Sequence, residues 1–225
     1  MTIEVLHRDD LALGGFAGLK ERRLVMAPKL FGSAANSNTW SGLANFVFLS
    51  DANFNPKGET TLHSHQEIDV ISIMLEGRLN HQGSLENGQG LEVGDVQVQR
   101  AGGEGFSHNE INPDNVSNRM LQLWVLPEQA GEPADYKFYK LQNKLTRVYG
   151  GKSEQDETFS SHIVIDIALL TASQNFSLEK PFLAYLATGK AKLANLELQE
   201  GDLFQGEQLN FTAESDVMLI VIYEI

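Results

Sequence analysis

Two short segments carry the side chains best suited to chemistry. His63-Ser64-His65 and His108-Asn109-Glu110 each set two ligand-type side chains two residues apart. On a β-strand that spacing turns both side chains to one face. If the segments are neighbouring strands with those faces inward, three imidazoles and one carboxylate converge. A lone His-x-His pair is commonly just solvated or hydrogen-bonded, so it is the second pair, after a Gly-Asp turn, that favours a metal. Imidazole suits Fe, Ni, Cu or Zn, and a carboxylate adds charge neutralisation and hardness. An octahedral ion on His63, His65, His108 and Glu110 keeps two positions for water, O2 or a substrate. The chain has no cysteine, which leaves imidazole and carboxylate as the available ligands.

These residues need strands to hold them, and the chain is written for strands. Its apolar runs are short and rich in β-branched residues: 45–49, 68–75, 120–126, 162–170 and 217–223, most of them bounded by Gly, Asn, Asp or Pro. Such runs at short spacing predict an all-β chain of antiparallel, jelly-roll-like barrels. An internal repeat makes two of them. IMLEGR at 73–78 precedes LEVGDV at 91–96, and YLATGK at 185–190 precedes LQEGDL at 198–203. Each copy reads as an apolar strand closed by Gly, a hairpin, and a Gly-Asp turn in which Gly takes positive φ and Asp caps local amides. Residues 1–130 are expected as a first barrel with the metal site. Residues 131–144, polar with Pro133, are expected as a linker, and 145–225 as a second barrel without metal. His162 is the only histidine of that second half.

Composition bounds the partners. The chain has 225 residues and a net charge of -13, which argues against gripping nucleic acid or an anionic membrane. No apolar stretch approaches a bilayer-spanning length, and MTIEVLHRDDLALGG does not read as a secretory signal. A cytoplasmic protein is expected.

Other residues near the motifs are less telling. His81, at a hairpin end, is expected to be exposed. Asp69 shares the parity of His63 and His65, and reads equally as a hydrogen-bond partner of a ligand imidazole or as a partly exposed carboxylate. Phe106, Met74 and Trp124 are expected to be mainly core. The stretch 26–42 is expected as a loop or edge segment.

Gly58-x4-His63-x-His65-x3-Asp69-x7-Gly77, followed by Gly94-Asp95, Gly105-x2-His108 and Asn112, resembles the two motifs of the cupin superfamily. Within it, the stretch from HSHQEIDVISIMLEG to SHNEINP is similar to the bacterial pirins. The similarity is strongest over residues 58–127. It implies a two-barrel fold and one divalent metal on His63, His65, His108 and Glu110. Iron is the expected ion, with Ni, Mn, Cu, Zn or Co as alternatives. The glutamate of the general motif is Asp69 here, and the usual basic residue before the third histidine is Ser107. The resemblance implies O2-dependent ring-opening of a flavonol such as quercetin, with Glu110 as the catalytic base. The alternative it implies is a non-catalytic, redox-responsive regulator acting through a protein partner.

Overall fold

A computed structural model describes residues 3–35, 37–85, 88–142, 144–154 and 157–225, and nearly all regular structure among them is antiparallel β. The five apolar runs become the strands Phe46–Phe54, Asp69–Glu76, Arg119–Val125, Ser161–Leu170 and Val217–Glu224. Most of their residues are buried on both faces, which is why they read as continuous apolar runs rather than as alternation. No helix among the described residues is long and apolar enough to cross a membrane.

The chain divides into two units, Leu11–Lys140 and the residues up to Asp10 together with Leu141–Ile225. In the first unit a seven-stranded sheet runs in the order Asp135–Lys140, Asp95–Arg100, Asp69–Glu76, Arg119–Val125, Phe46–Phe54, Leu19–Met26, Gly14–Phe16. A four-stranded sheet faces it, ordered His63–His65, Phe106–Ile111, Arg78–Gly83, Gly90–Glu92. In the second unit six strands run Glu4–His7, Asp202–Gly206, Phe182–Thr188, Val217–Glu224, Ser161–Leu170, Leu145–Gly151. Its small sheet is Asn175–Leu178, Leu209–Ala213, Lys190–Leu193, Leu196–Gln199. The two units therefore share one topology, and each is an open two-sheet jelly roll rather than a closed barrel.

The repeated Gly-Asp turn has the expected mechanism in both copies. Gly94 and Gly201 sit at φ 84° and 94°. The Asp95 carboxylate accepts the Glu92 backbone N–H at 2.9 Å, and Asp202 accepts that of Gln199 at 2.8 Å. The same residue type caps the same offset in each unit.

The expected boundaries differ at two edge strands. Residues 135–140, inside the stretch expected as a linker, form a strand pairing Asp135–Lys140 with Asp95–Arg100. Residues 4–7, expected in the first barrel, pair with 202–205 of the second unit. Both segments are short and mix polar with apolar residues, so they look like connectors until a sheet edge supplies their backbone partners. The stretch 26–42 is likewise not all loop, since Pro28–Phe31 is a single helical turn followed by a 3-10 turn at Gly32–Ala34.

The small sheets show how the units diverged. In the first, His63 stands opposite His108, His65 opposite Phe106 and His81 opposite Glu110. In the second, the matching pairs are Phe176 with Phe211, Leu178 with Leu209 and Ala191 with Ala213. Phe211, Leu209, Ala191 and Ala213 belong to one continuous apolar core with Phe204 and Leu219, and Phe176 and Leu178 pack against it. Phe211→Ala should therefore lower stability by about 3–5 kcal/mol through the cavity it leaves, read from the urea midpoint of the second unit's unfolding; a loss below about 1 kcal/mol would contradict this packing.

Candidate metal centre

Direct pairing of His63–His65 with Phe106–Ile111 puts His63, His65, Phe106 and His108 on one face. His108 Nε2 lies 2.9 Å from His63 Nε2 and 3.1 Å from His65 Nε2. These three side chains form a group whose donor atoms all lie within 4.8 Å of one another, the kind of cluster that can hold a metal ion. The spacing fits a bound ion, because metal–nitrogen bonds of about 2.0–2.1 Å at right angles set neighbouring nitrogens about 3.0 Å apart.

The chain leading into the site is held under strain. Thr61 adopts φ 64°, a conformation rare for a β-branched residue. In return its carbonyl accepts the Nδ1–H of His63 at 2.9 Å, which leaves the His63 Nε2 lone pair for the cluster. Thr60 anchors the same turn, donating its backbone N–H to the Glu110 carbonyl at 3.0 Å while its hydroxyl accepts the Glu110 N–H at 3.0 Å. Gly83 stands opposite His108, where a Cβ would come within 2.1 Å of the Ser107 carbonyl oxygen.

Burial keeps the His65 and His108 rings neutral. His65 is held down to about 4 by desolvation and then by His63, and His108 to about 2 by desolvation, then by His65, His63 and His81. Both therefore offer lone pairs at neutral pH. The Glu110 carboxyl is fully buried and pushed up to about 7 by desolvation, against the hydrogen bonds from Ser72 Oγ at 3.4 Å and Gln122 Nε2 at 3.2 Å. Glu110 faces the same interior as His108, two residues on, but its oxygens lie outside the three-histidine group.

Aromatic side chains wall the cluster. Phe106 and Trp124 flank His65 at ring distances of 5.2 and 5.5 Å, and Phe16 meets His63 edge-on at 6.3 Å. Trp124 continues into Phe48 at 4.4 Å and Phe31 at 6.0 Å. Phe106 and Met74 are core residues, while Trp124 is half-buried and part of this wall.

Two expectations are corrected. His81 is not exposed; it is fully buried, with its Nε2 3.0 Å from His108 Nδ1. Asp69 is not partly exposed but fully buried, 3.6 Å from the Arg100 guanidinium. Its parity with His65 does not carry over, because residues 66–68 leave the strand and Glu67 turns to φ 52°. Ser107 lies on the outward face, hydrogen-bonded to Ser64 at 2.8 Å. Gln97, Gln99, Ser72 and Gln122 were not singled out by the sequence. The alternation of Gln97 and Gln99 in DVQVQR is the one signal that could have marked a polar interior face.

Two jelly-roll units of one topology, the first with a histidine cluster across paired strands that could hold a metal ion, define a two-domain cupin. The family model described as Pirin matches residues 30–125. A Zymomonas mobilis protein, ZMO1337, named as a candidate quercetin 2,3-dioxygenase, is 30% identical over 177 residues, covering 72% of this chain and 74% of that one. A Pseudomonas aeruginosa protein, PA1210, named in the same way, is 30% identical over 176 residues, covering 71% and 75%. The chain belongs to the pirin family. Its fold matches that of bacterial pirin YhhW from Escherichia coli, solved in complex with nickel(II), with a TM-score of 0.84 at 17% identity over 99% of each chain. A quercetin 2,3-dioxygenase from Acinetobacter baumannii matches with a TM-score of 0.70 at 16% identity, over 98% of this chain and 85% of that one.

His108 Nε2 lies within 3.1 Å of the Nε2 of both His63 and His65. His108→Ala should weaken cobalt(II) binding by more than about 100-fold, beyond the effect of removing an outer hydrogen-bond partner. His162→Ala should leave it unchanged. Chelator competition on the two variants checks both.

Proposed function

We propose that this pirin holds one divalent ion, iron in the first instance, on His63, His65, His108 and Glu110, and oxidises a flavonol-type aromatic molecule with O2. The observation that carries the reading is the three-histidine cluster set inside an aromatic wall, together with relatives named as quercetin 2,3-dioxygenases. A redox-capable ion, when bound, supplies a Lewis acid for the substrate hydroxyl and an electron partner for O2. Both oxygen atoms enter the organic product in a dioxygenation, so no external reductant is needed.

The chain's own groups supply the rest. His65, Phe106 and Trp124 offer ring faces and edges against which a planar substrate can be oriented. Glu110 takes the substrate hydroxyl proton on its carboxylate, which Ser72 and Gln122 hold in place from the facing sheet. Trp124 Nε1 donates to Gln122 Oε1 at 3.2 Å, so the wall that orients the ring is tied to the amide that holds the base. The apolar surround of Val47, Val70 and Ala101 keeps water from the reacting carbon.

Iron(II)-loaded protein should consume O2 with quercetin, and Glu110→Gln should lower kcat by about 10²–10⁴-fold. An oxygen electrode, with metal content measured for each preparation, reads this. A rate no higher than that of free iron(II) would sink the reading.

A further inference from the structure

Behind the cluster lies a buried polar chain that none of the chemistry above uses. Gln97, Gln99, His81 and His108 are all fully buried. Gln97 Nε2 donates to Gln99 Oε1 at 3.4 Å, which turns the Gln99 amide nitrogen toward His81. That nitrogen lies 3.2 Å from His81 Nε2. Where the Gln99 amide N–H donates to it, His81 Nε2 is the acceptor and the His81 proton is on Nδ1. The same Nε2 lies 3.0 Å from His108 Nδ1, and in that tautomer its one lone pair is shared between the Gln99 amide N–H and the His108 Nδ1–H. The proton of neutral His108 is then on Nδ1, and its Nε2 lone pair faces His63 and His65.

We infer that His81, oriented by Gln99, is the positioning residue that holds His108 in its metal-ligating tautomer. The inference rests on the proposed metal site and goes beyond it, since it assigns a role to two residues outside the ligand set. It also explains the difference in supports: His63 Nδ1 meets the backbone carbonyl of Thr61 at its own turn, whereas His108 Nδ1, in mid-strand, meets a side chain from the next strand. Were Gln99 absent, His81 could take the Nε2–H tautomer and donate to His108 Nδ1. That would move the His108 proton onto Nε2 and block ligation.

Cobalt(II) binding and paramagnetic proton NMR test this without any turnover assay. Wild-type protein should bind one cobalt(II) and show shifted, exchangeable ring N–H signals from the ligand histidines. His81→Leu should weaken binding by about 10–100-fold and lose, or greatly speed the exchange of, one such signal. His81→Gln, whose amide oxygen reaches the place of Nε2, should restore most of both. Gln99→Leu should weaken binding with His81 still present. Circular dichroism melts establish that each variant is folded, and Gln99→Leu carries the test if His81→Leu is not. Equal affinity and an unchanged N–H signal in folded His81→Leu or Gln99→Leu would overturn the inference, as would failure of His81→Gln to rescue. Absence of cobalt(II) binding in the wild type would instead overturn the metal site itself.

Discussion

Everything at this site depends on one short stretch of antiparallel pairing, three residues of His63–His65 against Phe106–Ile111. Strand side chains alternate with a period of two, so a slip of one residue in either strand would turn its own pair outward, bringing in Ser64 from one strand or Ser107 and Asn109 from the other. Three residues cannot fix a register by themselves. The register is held from outside the pairing: by the reciprocal bonds between Thr60 and Glu110, by the Ser64–Ser107 hydroxyl contact on the outer face, and by Gly83, which lets the third strand approach His108 closely. The strained Thr61 sits at the point where these restraints meet. Backbone strain survives where the surroundings over-determine the conformation, as they do here.

The same topology has been filled in two ways. In the second unit, Phe176, Leu178, Phe211 and Ala213 occupy the small-sheet positions that hold His63, His65, His108 and Glu110 in the first. Burying apolar side chains there is the ordinary source of stability. The first unit forgoes much of that, and must also satisfy each polar group it buries, since an unsatisfied one costs about 1–3 kcal/mol. Rows across the sheets do much of this: Ser72 and Gln122 to Glu110, Gln97 to Gln99, and Gln99 and His108 to His81. A network of this kind is rigid because every member has few alternatives.

What could be read in the sequence follows from how local each feature is. His63, His65 and His108 were legible because parity within a strand and ligand chemistry both speak within a few residues. The Gly-Asp turns were legible for the same reason, and they recur with the same cap. Asp69 was misleading because parity was carried across residues 66–68, where the strand breaks. His81 looked like a solvated hairpin residue because its burial comes from Gln99 and His108, which are distant in sequence. The two edge strands were missed for a related reason. Nothing in residues 4–7 or 135–140 marks them as strands until the neighbouring edge is in place.

The packing also decides from which side the cluster can be approached. His108 is fully buried and backed by His81 and Gln99, and Glu110 is covered by Ser72 and Gln122. A molecule cannot enter from that direction without breaking several buried hydrogen bonds. His63 and His65 are only half-buried, and exposed Leu62 and Phe16 lie beside them. Approach is therefore one-sided, past apolar residues toward the two histidines on the short strand. The polar network that holds His108 and Glu110 is the same wall that closes the other side, so rigid support of His108 and exclusion of water from behind it have a single structural cause.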